Sequence, residues 1–365
     1  MSRVVFFLQG KRVPAARFRG VAIARGLAAR GFEVDLRTAV PSVYGDWGSA
    51  GRWPGLRTLL GPLALVSRLT QLGDVRSGDI VFFQRPMVEL PTAWLERRVL
   101  AGRAGPRSLF DFDDAIYLNP GTRRKFHRIV QMVDWVVAGN RSLAEAAGVP
   151  HKTRIIPTAV DTARWTRQPP RDATGRQVVV GWTGLSSNYG QLATAAAPIA
   201  RVLDRTGARF VLISDAPPPG DLACLRPELV RWRADREVED LARLDIGVMP
   251  LPDTPYARGK CAFKLIQYMA LGRAAVASAV GVNTEVVDDG VNGFLARGPG
   301  DWEASLTALI EDASLRARLG DRARARVEAR YALDAVIPAY AEILEALGGR
   351  PHPTGDAAPT GGGCP

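Results

Sequence analysis

The chain has 365 residues, 47% hydrophobic and 23% charged, which is enough for two ordinary domains with sizeable cores and too apolar for a disordered chain. Its net charge of +11 would suit nucleic acid, an anionic membrane surface or an anionic substrate, but only five of the 48 cationic residues are lysine, so the total is a weak guide to function. Cys224, Cys261 and Cys364 show no paired spacing and His127, His151 and His352 stand apart, which excludes a disulfide framework and a zinc site; no apolar run is long enough to span a bilayer.

The chain enters directly on a buried-type strand, VVFFL at 4–8, so we expect no signal peptide and a cytoplasmic setting, with at most peripheral membrane contact. A helix over 15–30 and a second strand, FEVDL, complete a βαβ opening. The loop between them, QGKRVPAARFRG, lacks the glycine triplet of a dinucleotide fingerprint. Residues 45–78 mix tryptophans, leucines and arginines; a buried helix with a glycine-proline break is the preferred reading, and an amphipathic membrane-surface segment the alternative. DIVFFQR and SLFDFDDAIY supply further strands, with a helix over 91–100 between them. Asp111, Asp113 and Asp114 thus fall at a strand's carboxyl end, the crevice side of a parallel sheet. Asp113 and Asp114 could bind a metal, cap the next segment or take a proton from an acceptor hydroxyl; neighbours on a strand point to opposite faces, so at most one should face a given pocket.

WVVAGN and RSLAEAAG give one more strand and a short helix, and the polar, proline-rich PPRDATGRQ marks a boundary near residue 170. The pattern then restarts: VVVGWTG, a helix over 189–206, ARFVLIS, a strand near VRW, a helix over 237–244 and DIGVMPL. Strands alternating with helices in both halves predict an α/β protein with two doubly wound sheets. Small residues in GWTGLSSN, Gly184 and Asn188 among them, would let a ligand approach the backbone at a helix start.

The most informative stretch is 258–296. Residues 262–271 read as a helix ended by Gly272, and Lys260, Lys264 and Gln267 share one polar stripe if that helix begins near Lys260. Two ammonium groups at a helix start suit a diphosphate; a solvated polar face is the plain alternative. Strand AAVAS leads to GVNTE, which carries Asn283, Thr284 and Glu285, and to the turns of DDGVNGFLA. Two amphipathic helices, 301–312 and 314–330, precede a final helix over 333–347 and a glycine- and proline-rich tail with little to bury.

QYMALGRAAVAS, GVNTE and DDGVNGFLA, in that order, resemble the donor-site signature of retaining family-4 glycosyltransferases of the GT-B fold. Within that family the run GKCAFKLIQYMA from Gly259 is similar to a subset reading G-K-C-x-F-K-L-x-Q-Y-M-A, which also carries D-x-D-D near the position of Asp111 to Asp114. The family's two glutamates, which face the donor sugar and the nucleotide ribose, fall here on Gly259 and Gln267, and the arginine and lysine usual near the GWTGLSSN loop are absent.

The resemblance implies an acceptor-binding domain over 1–170, a nucleotide-sugar domain over 171–330, a helix over 331–348 returning to the first domain, and a disordered tail from 349. It implies a metal-independent, retaining transferase of hexosyltransferase type that uses a nucleotide sugar and no cofactor, with a small-molecule or glycan acceptor and no nucleic acid. Gly184, Asn188, Lys260, Lys264, Gln267, Asn283, Thr284 and Glu285 would bind the donor. Arg17, Arg19 and Arg85 would face the acceptor or a phosphate, with Asp113 and Asp114 catalytic; a solvated helical turn is the alternative for Arg17 and Arg19. Because the paired glutamates are missing, a non-catalytic sugar-nucleotide-binding partner is the first alternative. An epimerase of the same architecture is the second.

Overall fold

The computed structural model describes residues 3–10, 13–39, 54–88, 90–101, 105–169 and 176–349. Lys11, the aromatic stretch at 45–53, the proline-rich run at 170–175 and the tail from 350 lie outside the described residues.

The apolar runs of the first half become strands β1 (Val4–Leu8), β2 (Val34–Thr38), β3 (Ile80–Gln84), β4 (Arg107–Phe112), β5 (Trp135–Ala138) and β6 (Thr153–Ile155). They form one parallel sheet in the order β2-β1-β3-β4-β5-β6. The second half yields β7 (Val179–Thr183), β8 (Arg209–Ser214), β9 (Glu228–Arg231), β10 (Ile246–Met249), β11 (Ala274–Ser278) and β12 (Phe294–Ala296), parallel in the order β12-β11-β10-β7-β8-β9. β1, β3, β7 and β11 are buried along their whole length. Helices cover both faces of such sheets, so their strands read as continuous apolar runs. Strand order reverses between β1 and β3 in one sheet and between β7 and β10 in the other, the points where such sheets open a ligand crevice at their carboxyl ends.

Several elements differ from expectation in instructive ways. The helix expected over 15–30 runs from Pro14 to Ala28 through a wide π turn at Arg17–Val21. There Gly20 lies so close to β1 that a Cβ would stand 2.5 Å from Leu8 Cδ2. The helix expected over 189–206 breaks into Tyr189–Ala193 and Ala196–Thr206, because Pro198 lacks the N–H and crowds the carbonyl four residues back. In the helix Pro54–Thr70, Ala64 and Arg68 turn inward while Leu63, Val66 and Leu69 are exposed, so the buried-helix reading holds for one side only. Arg68 is accommodated in the core by donating to the carbonyls of Met87 and Arg37 and to Gln71 Oε1. No helix among the described residues is long and apolar enough to cross a membrane.

The last helix, Leu333–Ala346, packs on the first sheet: a Cβ at Gly26 would stand 2.6 Å from Ile337 Cδ1, and Tyr340 donates to Asp111 Oδ2 at 2.7 Å. The two halves also exchange residues. Phe18 of the first half joins the apolar cluster of the second, tilted against Phe263 at 4.1 Å between ring centres, and Cys261 of the second half joins a cluster of the first.

Candidate active site

At the reversal point of the second sheet, the helix Phe263–Ala270 is pinned against the body of β10 and the carboxyl end of β7. Gly247 has no Cβ, which would lie 2.3 Å from the Tyr268 ring, and the Tyr268 hydroxyl accepts from Thr183 N–H at 3.0 Å. This presents Lys264 to the β7 loop. Its ammonium lies 5.2 Å from the centre of the Trp182 ring, and a Cβ on Gly184 would meet its Cε at 2.8 Å. Gly184 is therefore required by a close approach of side chains. Lys260 lies 4.7 Å from the centre of the Tyr256 ring. Ring faces attract ammonium groups without consuming their N–H donors.

Among the described residues neither lysine has a carboxylate within ion-pair distance. Burial, and then the charge of Lys260, pull Lys264 down to about 7, with Asp114 opposing them. The helix does not begin at Lys260. It begins at Phe263, after Ala262 adopts a left-handed φ of 50°. The single stripe expected for Lys260, Lys264 and Gln267 is thus not helical at its first member, because residues 258–261 are drawn toward the first half.

Facing them at the reversal point of the first sheet is Arg85, whose φ of 61° bends the chain out of β3 while its N–H donates to the Asp111 carbonyl at 2.9 Å. Arg85 Nε and Nη2 donate to Asp113 Oδ1 at 3.0 and 2.7 Å, and Nη2 stands 3.7 Å from Asp114 Oδ2. Both carboxylates therefore face one guanidinium. The expected alternation fails because β4 ends at Phe112, so Asp113 and Asp114 belong to a turn. Burial acts to raise Asp113, but Arg85 and then Arg19 outweigh it and hold it below the usual carboxylate range. From the second half Tyr256 donates to Asp114 Oδ2 at 3.4 Å, and burial followed by Asp114 pushes its hydroxyl up to about 12.

The other expected residues divide. Arg19 is corrected: it is fully buried, donating to both oxygens of Asp111 at 2.7 and 2.8 Å, to the Ile156 carbonyl, to Thr158 and to Tyr340, so it faces no ligand. Apolar neighbours on its helix side and a carboxylate on β4 draw it inward. Arg17 crosses the seam between halves to Glu237 at 2.6 Å, and Gln267 Nε2 donates to the other oxygen of Glu237 at 3.1 Å. Asn188 accepts from Gln191 at 2.9 Å in the β7 loop. Asn283 is buried and donates to the Ser278 carbonyl at 3.0 Å, whereas Thr284 and Glu285 are exposed beside it. A Cβ on Gly259 would meet Ala115 Cβ at 2.7 Å, so the position has no room for a carboxylate.

Sequence reasoning missed Trp182, Tyr256, Glu237 and Asn140. Tyr256, four residues before Lys260, was the one within reach of local pattern, whereas Trp182 meets Lys264 from 82 residues away. Glu237 and Asn140 meet partners 30 and 120 residues away, which no local pattern reveals. Among the described residues no group of three or more His, Cys, Asp or Glu is placed to hold a metal ion.

The fold has well-matched solved relatives. HepE from Anabaena, solved in complex with UDP and glucose, is 18% identical with a TM-score of 0.65, the match covering 95% of this chain and 100% of that one. The sucrose-phosphate synthase of Thermosynechococcus elongatus is 14% identical with a TM-score of 0.67, covering 95% and 99%. A glycosyltransferase from Rickettsia africae is 14% identical with a TM-score of 0.67, covering 95% and 98%. No curated protein sequence matches the chain. The chain has the two-sheet GT-B fold, and its residues 177–312 match the family described as glycosyl transferases group 1.

Proposed function

We propose that the chain transfers a sugar from a nucleoside-diphosphate sugar to a small-molecule or glycan acceptor, with retention of anomeric configuration and without a metal ion. The observation that carries this reading is the pair of amino groups, Lys260 and Lys264, held on ring faces with, among the described residues, no carboxylate in ion-pair contact and only the more distant Asp114 opposing their mutual repulsion. Two like charges brought together are unfavourable until an anion binds between them, and a diphosphate is of that size and charge. The unbonded N–H groups at the start of the helix Phe263–Ala270 add to the same field. That HepE was solved with UDP and with UDP-glucose supports a nucleotide sugar as the ligand.

In this reading the bond between the sugar's anomeric carbon and the diphosphate oxygen breaks, and the electron pair leaves with the diphosphate. Lys260 and Lys264 stabilise that developing charge, the electrostatic contribution that dominates such steps. The acceptor oxygen forms its bond on the face the diphosphate leaves, and its proton passes to the departing phosphate. Asp113 and Asp114, fixed by Arg85 and Tyr256, orient the acceptor hydroxyl from the opposite wall. In this reading the exposed Thr284 and Glu285 lie on the donor side, while Gln267 and Asn283, both buried, hold Glu237 and the Ser278 carbonyl there.

The non-catalytic alternative draws on Gly259, where the packing leaves no room for a carboxylate toward the donor sugar. A panel of nucleotide sugars screened by thermal shift, followed by assays for transfer and donor hydrolysis, decides between them. Stabilisation by at least one donor with product of retained configuration is expected. Stabilisation with neither transfer nor hydrolysis would move the chain to the non-catalytic reading, and no stabilisation by any donor would overturn both.

A further inference from the structure

Asn140 follows β5 and its side chain is almost fully buried at the seam between the halves. Its Oδ1 accepts from Leu143 N–H at 2.8 Å and caps the helix Arg141–Ala147. That leaves its Nδ2 to point across the seam, donating to the Lys260 carbonyl at 2.9 Å and the Arg258 carbonyl at 3.4 Å, with Cys261 Sγ at 3.8 Å. The amide orientation is dictated by chemistry, since a cap must accept and two carbonyls need a donor.

The surrounding fit is equally specific. Gly259 lies against Ala115, and a Cβ on Gly139 would stand 2.3 Å from Cys261 Sγ, so each side supplies a glycine where the other protrudes. Cys261 Sγ also lies 3.3 Å from the Asp113 carbonyl, and burial pushes its thiol well up. Residues 258–261 are therefore gripped by the first half immediately before the helix that carries Lys264.

We infer that Asn140 is a positioning residue: it latches the 258–261 segment to the first half, so that Lys260 is set for the donor only when the two halves are joined. This rests on the reading of Lys260 as a diphosphate ligand. Asn140 touches no substrate and acts through the backbone of Lys260.

The cap and the latch use different atoms of one amide, and substitution can separate them. Asn140→Asp and Asn140→Ser both keep an oxygen for the cap and remove the amide N–H that reaches across the seam: a carboxylate has no donor, and the serine side chain is one bond shorter. In a Cys224→Ser, Cys364→Ser background, Cys261 is the remaining thiol and reports the seam directly. We expect both variants to keep their far-ultraviolet circular dichroism and to react with a maleimide about tenfold faster than the parent, the scale of one or two lost hydrogen bonds. We also expect the advantage of UDP over UMP in calorimetric affinity to shrink about five- to tenfold. A role confined to stability would leave that ratio unmoved.

Unchanged labelling in both variants overturns the latch, whatever happens to nucleotide binding. Faster labelling with an unchanged UDP to UMP ratio overturns the positioning role, and Lys260→Ala then says how far the failure reaches. If Lys260→Ala lowers the ratio, the diphosphate reading stands and only the role of Asn140 falls. If Lys260→Ala also leaves it unchanged, the diphosphate reading fails with it.

Discussion

Arg19 and Lys264 are both cations carried on helices beside the carboxyl edge of a parallel sheet, and they are used in opposite ways. Arg19 meets a carboxylate with both faces of its fork and spends its remaining donors on a carbonyl and two hydroxyls. Lys264 meets an indole face and, nearby, another ammonium. The first arrangement is complete within the protein, because a buried charge with all its partners has nothing left to offer a ligand. The second is unfavourable by itself, and in the proposed reading an anion from outside completes it. Charge at a crevice is thus a poor marker of a binding site until its compensation has been traced.

Removing each cation should sharpen that contrast. The largest effect is expected from Arg19→Met, which leaves Asp111 buried beside Tyr340 without its counter-ion and should cost about 3–5 kcal/mol in denaturant unfolding. A variant of unchanged stability would show that the Arg19 network is not structural. Next come Asp113→Asn and Asp114→Asn, which keep shape and remove charge; transfer should fall about 100-fold in one of them while donor affinity holds. Full activity in both would remove the pair from catalysis. Lys264→Ala should weaken UDP by about 1.5–3 kcal/mol, and calorimetry showing native affinity in a folded variant would return Lys264 to a solvated role.

Two smaller effects follow from the pull on Lys264 toward 7. An anion favours the charged amine and raises its pKa, so UDP binding should take up a proton. Affinity should then fall by up to about tenfold per unit as pH rises from 7, where the phosphate is already ionised. Lys264→Met should abolish that dependence, and an unaltered pH profile would assign it elsewhere. Without ligand, the folded pKa lies below the unfolded one, so the unfolded chain binds more protons between about pH 7 and 10 and stability rises with pH across that window. Lys264→Met should flatten this slope and slightly raise the melting temperature at pH 7, the opposite sign to Arg19→Met.

Much of the fold is legible in the sequence because parallel strands buried on both faces must be apolar throughout, as VVFFL and IVFFQ are. Gly184 is singled out by its turn after a strand, and Lys260 and Lys264 by their spacing, although only Lys264 lies on the helix and its approach to Gly184 spans 80 residues. What local pattern lacks is the long-range partner. Arg19 reads as facing an acceptor or a phosphate, or else as solvated, until Asp111 and Tyr340, 92 and 321 residues away, close around it. Asp113 and Asp114 read as diverging until β4 is seen to stop at Phe112. Asn140 carries no local signal for its contacts with the Arg258 and Lys260 carbonyls, because they lie across the seam.

The return of the helix Leu333–Ala346 to the first sheet has a consequence for the order in which the molecule is made. Tyr340 completes the Arg19–Asp111 network, and Ile337 fills the space above Gly26, so the half synthesised first lacks two of its buried partners until residues 333–346 have emerged. The second sheet needs only residues up to 296 for its strands and can assemble while the first is still waiting. The N-terminal half is the last to be sealed, and a fragment ending near residue 170 would carry a buried ion pair short of its hydroxyl.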